Sequence, residues 1–548
     1  MATKNQKPET RNQKPARATS RQFLSTIVAL GLVAFTPLPT HAVEVQGLPK
    51  AGPAHPVKID KTEEKTLANG LRVIVVERLG LPVLSAEVLI KSGAEADPPK
   101  AAGLAHFTAD LLKHGTTTRS AQKIAEDTEA LGAKIETEAT WDGTTVKLTT
   151  LSTNAEPALA IVADLVRHPA FAKDEIERQR RETLDDLVLA LEQPGTVAQY
   201  TARRSALGTS AYAHPDTGTP ASLAHLTRKE IIAQHERAYR PANAILILAG
   251  NITANDAFAL AEKTFGDWQA PGASKEKAAA APATATPGAA QTPSPSLEQR
   301  VRILEKYIES SDPRTSLKTG PMAKEGSAAA ARAILIDMPN AGQSAVYIAA
   351  PGITREADDW FAGKVTNALL GGGYSSRLNQ EVRVKRGLSY GAGSGLSTWR
   401  ANGLFLAGAQ TKNESAAEVV KVIKTEIERL ITETAPADYL KTRQAVLTGA
   451  FDRDLETNEG YVKRVGELAL YGLPLDSLGS YVEKVEKIVP ADLQTFAGKY
   501  LAAGNLTVIV AGQAKVCEKP LRELLPKLEV IPLSKLDLDT PALRAGKR

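Results

Sequence analysis

The chain has 548 residues, 43% of them hydrophobic, 24% charged and 5% aromatic. That balance excludes a wholly disordered, collagen-like or fibrous chain, and the length suffices for several domains. The formal charge of +5 arises at the start, where Lys4, Lys7, Arg11, Lys14, Arg17 and Arg21 face only Glu9, and the chain after residue 42 is neutral. A neutral body gives no electrostatic reason to expect nucleic acid or an anionic membrane as a partner.

Residues 1–42 read as a secretory signal peptide. A basic stretch ends at Arg21, an apolar run from Phe23 to Phe35 is too short to span a bilayer, and Pro37 and Pro39 break it. Thr40-His41-Ala42 puts small residues at the −3 and −1 positions of a cleavage site. Ser20-Arg21-Gln22-Phe23-Leu24 lacks the second arginine of a twin-arginine signal, so general secretion is expected, with an uncleaved anchor as the alternative. A cleaved leader implies a periplasmic or secreted protein with no membrane attachment, and the Gram-negative periplasm fits best. The single cysteine, Cys517, cannot form an intrachain disulfide.

In the first half (43–269), Leu71–Glu77 and Val83–Ile90 have the composition of strands, followed by a helix over Gly103–His114. Ser120–Leu131 and Glu156–Val166 have helical apolar spacing, with a strand at Gly143–Leu151 between them. Longer helices are expected over Asp174–Glu192 and Arg228–Tyr239. Residues 270–296 are almost entirely Ala, Pro, Thr, Ser and Gly, the composition of a linker. A second half (297–535) and a loose polar tail (536–548) follow. An apolar strand ending in Ala249-Gly250 returns 262 residues later, ending in Ala511-Gly512, and Asn243 returns as Asn505 at the same offset. One offset for both positions marks an internal duplication. The expected fold is α+β, two homologous domains of antiparallel sheet packed with helices.

The most informative stretch is Gly103-Leu-Ala-His106-Phe-Thr-Ala109-Asp110-Leu-Leu-Lys-His114-Gly115-Thr116. With Asn69-Gly70, Ser92-Gly93-Ala-Glu95 and Leu131-Gly132-Ala133 around it, it resembles the pitrilysin/insulinase family of zinc peptidases, and the resemblance runs through both halves. Active members read His-x-x-Glu-His here, with two His one turn apart on a helix face and a Glu between them that polarises water. A Glu some 75 residues later completes their zinc set. This chain keeps the first His as His106, puts Ala109 at the base position and Asp110 at the second His, and carries Asp186 (or its neighbour Asp185) at the distant Glu. Ala109 cannot accept a proton, and general-base help is typically worth 10²–10⁴-fold. Either His106 and Asp110 pair as a relic, or His106, Asp110 and Asp186 retain some metal binding. His114, near the helix end, is read as structural.

The second half carries Gly371-Gly-Gly-Tyr374-Ser-Ser-Arg377-Leu-Asn-Gln-Glu381-Val-Arg383, followed by Arg386-Gly387-Leu-Ser389-Tyr390-Gly391. This resembles the family's other signature, an Arg and a Tyr seven residues apart. The resemblance implies that Tyr390 stabilises the oxyanion at the scissile carbonyl and that Arg383 holds the substrate backbone. The competing readings are an ion pair of Arg383 with Glu381 and a core position for Tyr390. In the family's short-chain branch, two two-domain chains close face to face, and one of them can lack the zinc motif. The chain is therefore expected to be a non-catalytic subunit without its own cofactor. It would lend Arg383 and Tyr390 to a homologous, zinc-bearing partner that degrades peptides. A peptide-binding, chaperone-like clamshell and a weak His/Asp/Asp metallopeptidase are the alternatives.

Overall fold

The computed structural model describes residues 59–270 and 331–544. The leader over 1–42, all but the first residue of the linker over 270–296, and the last four residues lie outside the described residues. All described residues belong to one compact unit.

Each half builds a six-stranded sheet. The strands of sheet one are β1 (Thr62–Thr66), β2 (Arg72–Glu77), β3 (Val83–Ile90), β4 (Lys134–Ala139), β5 (Thr144–Leu151) and β6 (Ala244–Gly250), in spatial order β1-β2-β6-β3-β5-β4. Those of sheet two are β7 (Ala333–Asp337), β8 (Ser344–Pro351), β9 (Ala392–Thr398), β10 (Gly403–Thr411), β11 (Thr507–Gly512) and β12 (Glu529–Pro532), in order β12-β7-β11-β8-β10-β9. Leaving out the outermost β1 and β12, the two orders coincide strand for strand. β6 and β11, the strands whose Ala-Gly endings recur in the sequence, hold the same position. Asn243 and Asn505 each close a short 3-10 turn before them.

The sheets are not purely antiparallel. β2 pairs in parallel with β6, and β7 in parallel with both β11 and β12. The strands joined in parallel lie far apart in sequence, so no short turn connects them and their direction leaves no local signal.

The halves exchange helices. Pro194–Leu207, from the first half, lies on sheet two, burying Val197, Ala198 and Ala202 among Ile334, Ile336, Ala345 and Ile509. Asn458–Leu470, from the second half, lies on sheet one, where Val462 and Val465 share a core with Leu89 and Ile247. A Cβ at Gly466 would come 2.9 Å from Glu87 Oε1, so glycine lets this helix pass directly over the sheet.

Two homologous turns also meet. Trp141, between β4 and β5, and Trp399, between β9 and β10, stand with ring centroids 5.6 Å apart, and Tyr212 stacks on Trp399 at 5.1 Å. Asp142, buried beside them, accepts hydrogen bonds from the hydroxyls of Tyr212 and Tyr471 and from the Arg400 N–H.

The segment expected to be a loose tail is packed as far as residue 544. Leu538 and Leu543 are buried, Arg204 Nε donates to the Leu538 carbonyl at 2.7 Å, and Thr219 reaches Asp539. The leucines outweigh the polar residues between them because sheet two leaves an apolar face for them. Among the described residues, no helix is long and apolar enough to cross a membrane.

Candidate functional site

The helix bearing the degenerate motif spans Leu104–Leu111. Gly103 starts it at φ +87°, against the backbone of Gly218, where a Cβ would come within 2.8 Å. Asp97 caps it, accepting from the Gly103 and Ala105 N–H groups at 2.9 Å each. One face buries Leu104, Phe107 and Leu111 in the core of the first half.

His106 and Asp110, four residues apart, share a partly exposed face, with His106 Nε2 3.5 Å from Asp110 Oδ2. The His106 Nδ1 is shut off from solvent and has no hydrogen-bond partner. Burial raises the Asp110 pKa above the usual carboxylate value, and the facing His106 opposes that rise. Ala109 is fully buried, packed with Ala105 against Ala139 of β4. The base position is therefore occupied by apolar packing.

The distant acid is not brought to this pair. In the helix Lys173–Leu191, Ile176 and Leu187 form the buried face, while Asp185 and Asp186 point to solvent. A helix turns about 100° per residue, so the burial of Leu187 carries its neighbour Asp186 away from the core. Among the described residues, no three His, Cys, Asp or Glu side chains are gathered closely enough to hold a metal. One imidazole and one carboxylate, with no third ligand and no base, do not fit a catalytic zinc site. His114 lies just past the helix end and pairs with Glu175 at 3.2 Å, while Arg178 bridges the two. This is a structural role.

The second signature is arranged differently. Arg383 lies in a π-helical turn, Asn379–Val384. Its guanidinium stands 5.0 Å from the ring centroid of Tyr374. Glu381 is taken by Lys385 and Arg386, both at 2.5 Å, and these cations hold its carboxyl below the usual value. The expected alternative of a Glu381–Arg383 pair is thus displaced. Tyr390 is 90% exposed, which removes the core reading. Asn379 fastens the loop at both ends, donating to the Tyr374 carbonyl and accepting from the Ala392 N–H. Tyr374, which sequence reasoning left unassigned, is 67% exposed.

His106 belongs to the edge of sheet one and Arg383 and Tyr390 to the edge of sheet two. No hydrogen bond or ion pair among the described residues joins the two groups.

Comparison with known proteins agrees with this architecture. Residues 72–210 match the model described as Insulinase (Peptidase family M16), and residues 225–447 match the one described as Peptidase M16 inactive domain. The chain belongs to the insulinase/pitrilysin family. It is similar to an uncharacterized zinc protease of Mycobacterium leprae, 25% identical over 74% of this chain and 82% of that one. A second such protein, from Streptomyces coelicolor, is 24% identical over 80% and 87%. Among solved structures, a peptidase M16 inactive domain from Pseudomonas fluorescens superposes with a TM-score of 0.69 at 25% identity, covering 83% of this chain and 98% of that one. A Helicobacter pylori protease matches in fold, with a TM-score of 0.70 at 20% identity, covering 83% of this chain and all of the other.

Proposed function

We propose that this chain is the zinc-free subunit of a periplasmic, two-chain insulinase-family peptidase that degrades peptides. It supplies Arg383 and Tyr390 to a homologous partner holding the zinc. The observation that carries this reading is the contrast between the two signatures. Ala109 is sealed against Ala139, and among the described residues no third ligand lies near His106 and Asp110, whereas the side chains of Arg383 and Tyr390 are exposed and take no hydrogen bond or ion pair there. Exposed donors without a local task suit a site completed by another molecule.

In that role the Tyr390 hydroxyl donates to the oxyanion forming at the scissile carbonyl. The Arg383 guanidinium, steadied by the face of Tyr374, donates to substrate carbonyl oxygens. Such donors act because they are already oriented when charge develops. Zinc held by the partner chain would supply the activated water.

The test is co-expression with a homologous chain that carries an intact His-x-x-Glu-His, followed by cleavage of a quenched peptide. The pair is expected to cleave, and neither chain alone. Tyr390→Phe in this subunit should lower kcat by about 10²–10³ with little change in KM. Cleavage by the zinc-bearing chain that is indifferent to this subunit contradicts the reading.

A further inference from the structure

Outside the two signatures, Arg203 is a partly buried cation without an anionic partner among the described residues. It rises from the exchanged helix Pro194–Leu207 and stands over both turn tryptophans, 4.7 Å from the ring of Trp141 and 5.3 Å from that of Trp399. A guanidinium carries five N–H donors, yet none of those on Arg203 makes a hydrogen bond or ion pair within the described chain. Nη1 in particular is closed off from solvent and meets no acceptor. The charge of Asp216 is felt without an ion pair, and burial works against the charged form. A desolvated cation of this kind is costly until an anion completes it.

Arg203 lines a cavity of about 400 Å³ between that helix and the β9–β10 side of sheet two. Gln199, Ser394 and Ser397 also line it, together with glycine backbone in β9 and β10, and no acidic residue does. The side chains of Gln199 and Ser397 are exposed and make no hydrogen bond among the described residues, so their donors are free as well. β9 is the outermost strand of its sheet, so one edge of its backbone lacks a neighbouring strand. Ser397 lies seven residues beyond Tyr390, at most about 25 Å away even along a fully extended chain.

We infer that this cavity is a carboxylate-binding site anchored by Arg203, and that the carboxylate belongs to a peptide. The assignment to a peptide rests on the function proposed above, while the carboxylate site itself does not. Nη1 is out of a ligand's reach, whereas Nε and Nη2 are not closed off, and these two donors match a planar carboxylate in a two-bond fork, with the indoles holding the guanidinium from behind. The carboxylate is either a peptide's C-terminus or an acidic side chain.

Binding is readable by tryptophan fluorescence, since two of the four tryptophans flank Arg203. The purified chain is titrated with N-acetyl-alanine, hexa-alanine as free acid and as amide, hexa-alanine amide with one internal Asp, and inorganic phosphate. The free acid is expected to bind at least ~10-fold more tightly than the amide, the scale of a charge-assisted pair. Arg203→Met should abolish that preference while leaving the melting temperature unchanged or higher, and Arg203→Lys should keep part of it. Affinity regained by the Asp-bearing amide assigns the site to side chains, and no regain assigns it to the C-terminus. Should N-acetyl-alanine bind through Arg203 while no hexapeptide does, the carboxylate site stands and the peptide function fails. Equal binding of acid and amide, a preference that survives Arg203→Met, or binding of phosphate alone overturns the inference. So does a large fall in the melting temperature of Arg203→Met without carboxylate binding to the natural chain, which makes Arg203 structural.

Discussion

At Ala109 the space around the side chain is closed. The methyl group is fully buried and its neighbours are Ala105 and Ala139. Returning a carboxylate there would bury a charge among methyl groups. Ala109→Glu should therefore destabilise the chain by about 1–3 kcal/mol, measured by urea denaturation, rather than restore a base. Tyr390 stands at the opposite extreme. Because its ring is 90% exposed, Tyr390→Phe should leave stability within about 0.5 kcal/mol of the natural chain. A larger loss in the same denaturation experiment would mean that the ring has a structural task. The substitutions at 109 and 110 were readable directly from the motif, because helix periodicity fixes which residues share a face. The outward direction of Asp186 was not, since a register counted over some 75 residues cannot say which side of a later helix packs inward.

At the level of elements, the exchanged helices tie the halves together through two cores that both share. The duplication was legible from the matched strand endings. The helix Pro194–Leu207 was not, because its contact face is made largely of small residues, Ala198, Ala202 and Ala206, that carry little apolar periodicity. The reciprocal helix creates a pH-sensitive seam. Glu87 of β3 is buried beneath Gly466 without a hydrogen bond, and burial raises its pKa to about 7 against 4.5, Lys147 opposing and Glu138 adding to the shift. The folded state thus holds a proton that the unfolded chain releases between those values, and stability falls as pH rises through that window. Glu87→Gln removes the effect. Relative to the natural chain, the variant should gain about 2–3 kcal/mol between pH 5 and pH 8, seen in denaturation midpoints at the two pH values. An unchanged difference would mean that Glu87 finds a partner when ionised.

For the whole molecule, His106 and Asp110 lie at the edge of one sheet and Arg383 and Tyr390 at the edge of the other, and no hydrogen bond or ion pair among the described residues joins them. That arrangement supports the proposed reading of the chain as half of a larger site. The family was legible in short motifs spread across both halves, whereas the closed surroundings of Ala109, the freedom of Arg383 and Tyr390 and the stranded cation at Arg203 required tertiary structure. Burial and partnership are set by contacts between residues on different elements, which no local pattern encodes. The most direct measurement is the zinc content of the purified chain by elemental analysis, with peptide cleavage assayed on the same sample. The account predicts far less than one zinc per chain and no cleavage until a zinc-bearing homologue is added. Stoichiometric zinc together with cleavage that His106→Ala abolishes would contradict it.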